Sequence, residues 1–91
     1  MRKRLHIYYS GMVQGVGFRF TAERAANSLG LAGWVKNLRD GRVEVLCEGE
    51  EAALVSFINK IKNGVMKEYI TSADIEWEEP RNEFEDFAVR F

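Results

Sequence analysis

Along the first ten residues apolar and polar side chains alternate. Leu5, Ile7 and Tyr9 fall on one side of an extended chain, and Arg4, His6 and Tyr8 on the other. A period of two with one apolar face predicts a strand packed on one side. After a glycine-rich stretch the period changes. Ala22, Ala25, Ala26 and Leu29 recur at i, i+3, i+4 and i+7, the stripe of an amphipathic helix running from Phe20 or Thr21 to Leu29. Gly30 stands where a left-handed C-terminal cap falls. A second strand, Gly33 to about Leu38, leads through the turn signal Asp40-Gly41 into a third, "RVEVLCEG". There Val43, Val45 and Cys47 share one face, and Glu44, Leu46 and Glu48 the other.

Leu54, Phe57, Ile58 and Ile61 within "GEEAALVSFINKIKNG" predict a second helix. Glu50 and Glu51 suit its positive end, and Gly64 is placed as its C-cap. Residues 65–71 carry no clear period and are expected to form a loop. "SADIEWEE" alternates again, with Ala73, Ile75 and Trp77 inward and Asp74, Glu76 and Glu78 outward. Pro80 to Glu83 form a turn, and Phe87, Val89 and Phe91 a short fifth strand at the sheet edge. The order βαββαβ plus a short terminal strand predicts an α+β fold. It is a ferredoxin-like two-layer sandwich, an antiparallel sheet with two helices on one face.

Ninety-one residues without linker, repeat or low-complexity segment fit a single domain, 1–91. Thirteen Lys and Arg against fourteen Asp and Glu leave a net charge of −1, which argues against long-range steering toward nucleic acid or anionic membrane. One cysteine permits no internal disulfide, and no run approaches the ~18 apolar residues of a membrane span. With no apolar leader behind "MRKRLHIYY", the expected location is the cytoplasm. Cys47 reads as a small core residue, His6 as a surface residue, and Trp34 and Trp77 as core or edge packing.

The chemistry concentrates in "GMVQGVGFRF", Gly11 to Phe20, between the first strand and the first helix. Helix N-termini carry unpaired N–H donors and partial positive charge, and glycines let a turn curve so that several amides converge on one anion. Arg19 adds a planar fork suited to two phosphate oxygens. Arginine is electrostatically disfavoured in a first helical turn, which favours an anionic partner. The stretch has neither the Gly-Lys-Ser/Thr ending of a Walker motif nor the G-x-G-x-x-G spacing of a dinucleotide fold. From the glycines alone, a plain structural turn is the favoured reading, and Asn37 reads as a turn former.

"GMVQGVGFR", followed eighteen residues after Arg19 by the asparagine of "GWVKN", resembles the paired signature of the acylphosphatase family. The likeness extends through "LGLAGWVKNLRDGRVEVLCEGE", the second helix and "FEDFAVRF". It implies hydrolysis of the carboxyl–phosphate anhydride of acyl phosphates, with a small-molecule acyl phosphate as partner and phosphate or sulfate as a product-like ligand. The amides of Gln14, Gly15, Val16, Gly17, Phe18 and Arg19 would cradle the phosphoryl group. Arg19 would bind its oxygens, and Asn37 would orient the attacking water. The family uses no metal, cofactor or covalent phosphoenzyme, and nothing in the sequence suggests an obligate interface, so a monomer is expected. Met12 departs from the basic or polar residue of many relatives, and "NGVMKEY" from their proline-containing loop. Two alternatives stand beside this reading: an RNA-binding module, which Glu44 and Glu48 on the third strand oppose, and a non-catalytic anion-binding domain.

Overall fold

The structure, a computed structural model, describes residues 1–91. Strand β1 (Arg2–Gly11) leads into helix α1 (Phe18–Ser28); β2 (Ala32–Asn37) and β3 (Val43–Glu50) form a hairpin. Helix α2 (Glu51–Asn63) follows, then a single 3-10 turn over Lys67–Tyr69, β4 (Ile70–Glu78) and β5 (Phe87–Arg90). The five strands order as β4-β1-β3-β2-β5. The ferredoxin-like architecture follows from the alternation that predicts it. Leu5, Ile7 and Tyr9 of β1 and Val43, Val45 and Cys47 of β3 are buried, and they join Ala22, Ala26, Leu54, Phe57 and Ile61 of the helices in one core.

Four strands pair antiparallel, as expected, but β5 runs parallel to β2, with Phe87 opposite Gly33 and Val89 opposite Val35. To reach that edge from β4 at the other, residues 79–86 must cross the sheet. They pass over its open face, away from the helices. There the Glu48 side chain, 1% exposed, accepts from the Arg81 and Asn82 amides at 2.7 and 2.8 Å and pairs with Arg4 Nη1 at 3.2 Å. Glu48 is therefore a buried anchor for the crossing segment rather than an outward surface charge.

Helix α1 contacts β2 and β5, and α2 contacts β3 and β1; β4 lies beyond this cover. Ile75 and Trp77 sit opposite Ile7 and Leu5 and so share the helix-side face, yet they are 39% and 44% exposed, and Ala73 is exposed too. The predicted alternation is right and the predicted burial is not, because two helices do not span five strands. Trp34 is buried on the opposite face, between the cations of Lys36 and Arg90. Phe91 lies past the end of β5, exposed. Residues 67–69 turn as 3-10 helix, and β4 begins at Ile70, two residues before the predicted "SADIEWEE". No helix is long and apolar enough to cross a membrane.

Candidate functional site

Strand β1 ends in a bulge at Ser10/Gly11. Gly11 has φ +127°, and a Cβ there would collide with the Tyr69 carbonyl; that carbonyl accepts the Met12 amide at 2.8 Å. The chain therefore leaves the sheet at a fixed point. Two apolar side chains then pin the loop. Val13 is 1% exposed and Phe18 2%, and the Phe18 ring packs 5.0 Å from that of Tyr9. Between these anchors Gly15 and Gly17 take φ +77° and +83° with open space where a Cβ would stand. The backbone torsion, rather than crowding, is what requires glycine at both.

Gly17 is the N-cap of α1, so the helix starts earlier than Phe20 and Arg19 lies in its first turn. The first helical bond runs from the Thr21 amide to the Gly17 carbonyl at 3.1 Å. No backbone carbonyl accepts from the amides of Gln14 through Arg19. Consecutive unpaired donors at a helix start, with no acidic residue in the first turn, make a local excess of positive potential.

Two polar side chains complete the arrangement. Arg19 joins none of the chain's ion pairs. Its Nη1 donates to the Arg90 carbonyl at 3.4 Å, and its guanidinium lies 4.6 Å from the Phe91 ring centre. Asn37, the last residue of β2, is partly buried, and its Oδ1 is a buried acceptor with no partner in the protein. A buried acceptor left unpaired carries a desolvation cost of ~1–3 kcal/mol, which a bound water or ligand donor would remove. Both side chains line one depression of about 90 Å³ together with Val13, Gly15, Gly17, Phe18 and Phe20.

The structure thus brings Gly15, Gly17, Phe18, Arg19 and Asn37 together at one depression. Val16 is half-buried against the core. Gln14 has a role that the sequence does not disclose. Its side-chain Nε2 donates to the Leu38 and Arg42 carbonyls at 2.7 and 2.9 Å, tying the loop to the β2–β3 hairpin that carries Asn37. The brace on Arg19 from Arg90 and Phe91 is also invisible in sequence, since no local pattern connects residues so far apart. His6 and Cys47 lie elsewhere. Burial pushes the Cys47 thiol up to about 12, which leaves it protonated and inert. A larger groove, about 490 Å³ between α2 and β4, shares no residue with the depression.

The acylphosphatase family model matches residues 5–89. The acylphosphatase of Roseiflexus sp. (strain RS-1) is 40% identical over 86 residues, covering 94% of this chain and 92% of that protein. The crystal structure of acylphosphatase from Bacillus subtilis is 40% identical, with a TM-score of 0.91 and complete coverage of both chains. Full-length HypF, in a phosphate- and nucleotide-bound form, contains a likeness at 28% identity and TM-score 0.85 that spans 12% of its length. The family-model match over residues 5–89, with likeness along almost the whole length of the two acylphosphatases, places the chain in the acylphosphatase family.

Proposed function

We propose that this chain hydrolyses acyl phosphates at the depression between the 14–19 loop and Asn37. The observation that carries the reading is a pair of unmet demands on one small depression. Arg19 has no carboxylate partner, and the buried Asn37 Oδ1 has no donor. The loop amides and the guanidinium would hold the phosphoryl oxygens. Asn37 Oδ1 would accept a hydrogen bond from a water and so turn its lone pair toward phosphorus, in line with the departing carboxylate.

The physics suits this division of labour. Phosphoryl transfer needs little covalent assistance; charge stabilisation and in-line placement supply most of the rate. Fixed amides and a braced guanidinium supply that charge without reorganising during reaction. A neutral amide accepts from water without repelling the anionic substrate. The carboxylate is a good leaving group, so no general acid is required, and the water's proton passes to an oxygen of the transferred phosphate. On this reading no metal or cofactor takes part in the step, inorganic phosphate or sulfate competes as a product-like ligand, and residues 1–91 act as one cytoplasmic, monomeric unit.

The test is hydrolysis of benzoyl phosphate in the presence of a chelator by wild type, Arg19→Ala and Asn37→Ala. Turnover by wild type with near-complete loss in both variants is expected. Full activity in Asn37→Ala removes the water-positioning role. The likeness to a segment of HypF favours a second reading, an anion-binding unit without turnover. Phosphate binding by an inactive wild type would establish that reading instead. Salt-sensitive RNA binding is not expected, since Glu44, Glu76 and Glu78 group on the open sheet face.

A further inference from the structure

The open face of the sheet, opposite the helices, carries a second polar cluster that the hydrolytic reading does not use. His6 on β1 lies directly across from Glu76 on β4, and Glu78 follows two residues on, on the same face. One ligand atom from each of these three side chains lies within 4.8 Å of the others. We propose that His6, Glu76 and Glu78 bind a late first-row divalent cation, with Zn²⁺ as the representative ion, through His6 Nδ1 and one oxygen of each carboxylate.

Two partners outside the trio orient its members. His6 Nε2 lies 2.7 Å from Glu44 Oε2. An ionised carboxylate only accepts, so the ring proton belongs on Nε2, and in the neutral imidazole Nδ1 keeps its lone pair. A metal-bound histidine commonly donates its second N–H to a carboxylate in this way, which fixes both tautomer and ring orientation. Glu78 is held from the other side, with Oε1 3.4 Å from Arg4 Nε and Oε2 turned toward His6 Nδ1 at 3.7 Å.

That last distance is too long for a hydrogen bond. It is close to the ~3.4 Å that separates two ligands held by bonds of ~2.1 Å to one tetrahedral ion. Small rotations of the exposed Glu76 side chain bring the third ligand in, and water completes the coordination. Imidazole with carboxylate oxygens suits Zn²⁺ and its neighbours more than Mg²⁺ or Ca²⁺. The local charge favours a cation. Three carboxylates face the imidazole, while Lys36 stands 3.9 Å from Glu44 and the Arg4 Nη1 is engaged by Glu48 and Glu83. Adjacent strands hold the positions rigidly, as a metal site needs.

The chain has a single histidine, and its single cysteine is buried, so no other nitrogen or sulfur side chain of this kind competes. The experiment is titration of the whole folded chain with Zn²⁺ by calorimetry, alongside NMR of the lone imidazole. Expected are one ion per chain, a shift of Nδ1 with the proton retained on Nε2, and affinity reduced ~10–100-fold in Glu44→Gln. Losses at least as large are expected in His6→Gln and Glu78→Gln. The far-UV spectrum of each variant shows that it remains folded, and Glu78→Gln, a substitution at a partly exposed position, covers the case in which replacing His6 disturbs the sheet. Absence of stoichiometric Zn²⁺ binding by wild type overturns the proposal and leaves His6 as an ion-pair partner of Glu44 and Glu78. Unchanged affinity in His6→Gln, or coordination through Nε2, overturns it equally.

Discussion

Two arginines divide the molecule's electrostatics. Arg4 is 6% exposed, and its guanidinium meets Glu48, Glu83 and Glu78 at 3.2, 2.7 and 3.4 Å. Burial works against its charge, but Glu83 and Glu48 outweigh that and hold its pKa above the ordinary value. Arg19 meets no carboxylate at all and is steadied by a carbonyl and an aromatic ring. Both are anchored, but only one is neutralised. A charge whose partners all come from the protein fastens segments together, whereas a charge held only by neutral groups keeps its field for a ligand.

Removing the free member should have the largest effect on rate and little on folding. Arg19→Ala should lower kcat for benzoyl phosphate by on the order of 10³–10⁵-fold, the range for an arginine that stabilises a phosphoryl transition state. Its melting temperature should stay within a few degrees of wild type. Removing the bound member's partner should do the reverse. Glu48→Ala takes one of three carboxylates from Arg4, which keeps Glu83 and Glu78, and leaves the Arg81 and Asn82 amides without their acceptor. Stability measured by urea unfolding should drop by about 2–5 kcal/mol, the cost of two stranded amide donors, with kcat of the folded fraction retained. Loss of rate in Glu48→Ala without loss of stability would break the distinction.

Asn37→Ala should cost on the order of 10²–10³-fold in kcat, as for loss of one positioned polar group, with KM little changed. A smaller effect comes from pH, through groups that carry no charge at all. Burial raises the Cys47 thiol from an ordinary value near 9.0 to about 12, and raises Tyr9 for the same reason. The folded chain keeps protons that the unfolded chain releases first. This contribution is therefore fully present below about pH 9 and declines as pH rises toward 12. Urea unfolding across that window should show the decline, and Cys47→Ala should make it shallower. Smallest is Phe91→Ala, which removes the ring beside Arg19. An exposed cation–π contact of ~0.5–1 kcal/mol corresponds to a roughly two- to fivefold loss in kcat/KM.

Local periodicity made most of the fold legible. Leu5, Ile7 and Tyr9, or Val43, Val45 and Cys47, reveal their buried face because neighbouring residues within one strand settle it. Ile75 and Trp77 show where this stops. Their face is readable, but their exposure depends on how far α2 reaches across the sheet, which belongs to the assembled layers. Glu48 is the converse case. It stands among outward residues of β3 and is buried only because residues 79–83 arrive over it from elsewhere. At the candidate site, torsion marks Gly15 and Gly17 as a turn and charge marks Arg19 as wanting an anionic partner. Asn37 reads as a turn former on its own and stands out only through the family resemblance. The role of Gln14 is not legible, since many polar residues satisfy a loop amide, and only the structure shows its side chain spanning to Leu38 and Arg42.

The parallel strand at the edge has a consequence for how the protein is made. Arg90 and Phe91 brace Arg19 across a separation of 71 residues for the carbonyl contact, and β5 reaches its place beside β2 only after residues 79–86 have crossed the sheet. Distant pairings of this kind form late, because the chain between them must first be ordered. A nascent chain therefore presents the 14–19 loop well before its arginine is steadied. During refolding, Trp34 should report the docking of Arg90 against its ring, and full turnover should recover in step with that signal rather than with the earlier appearance of helix.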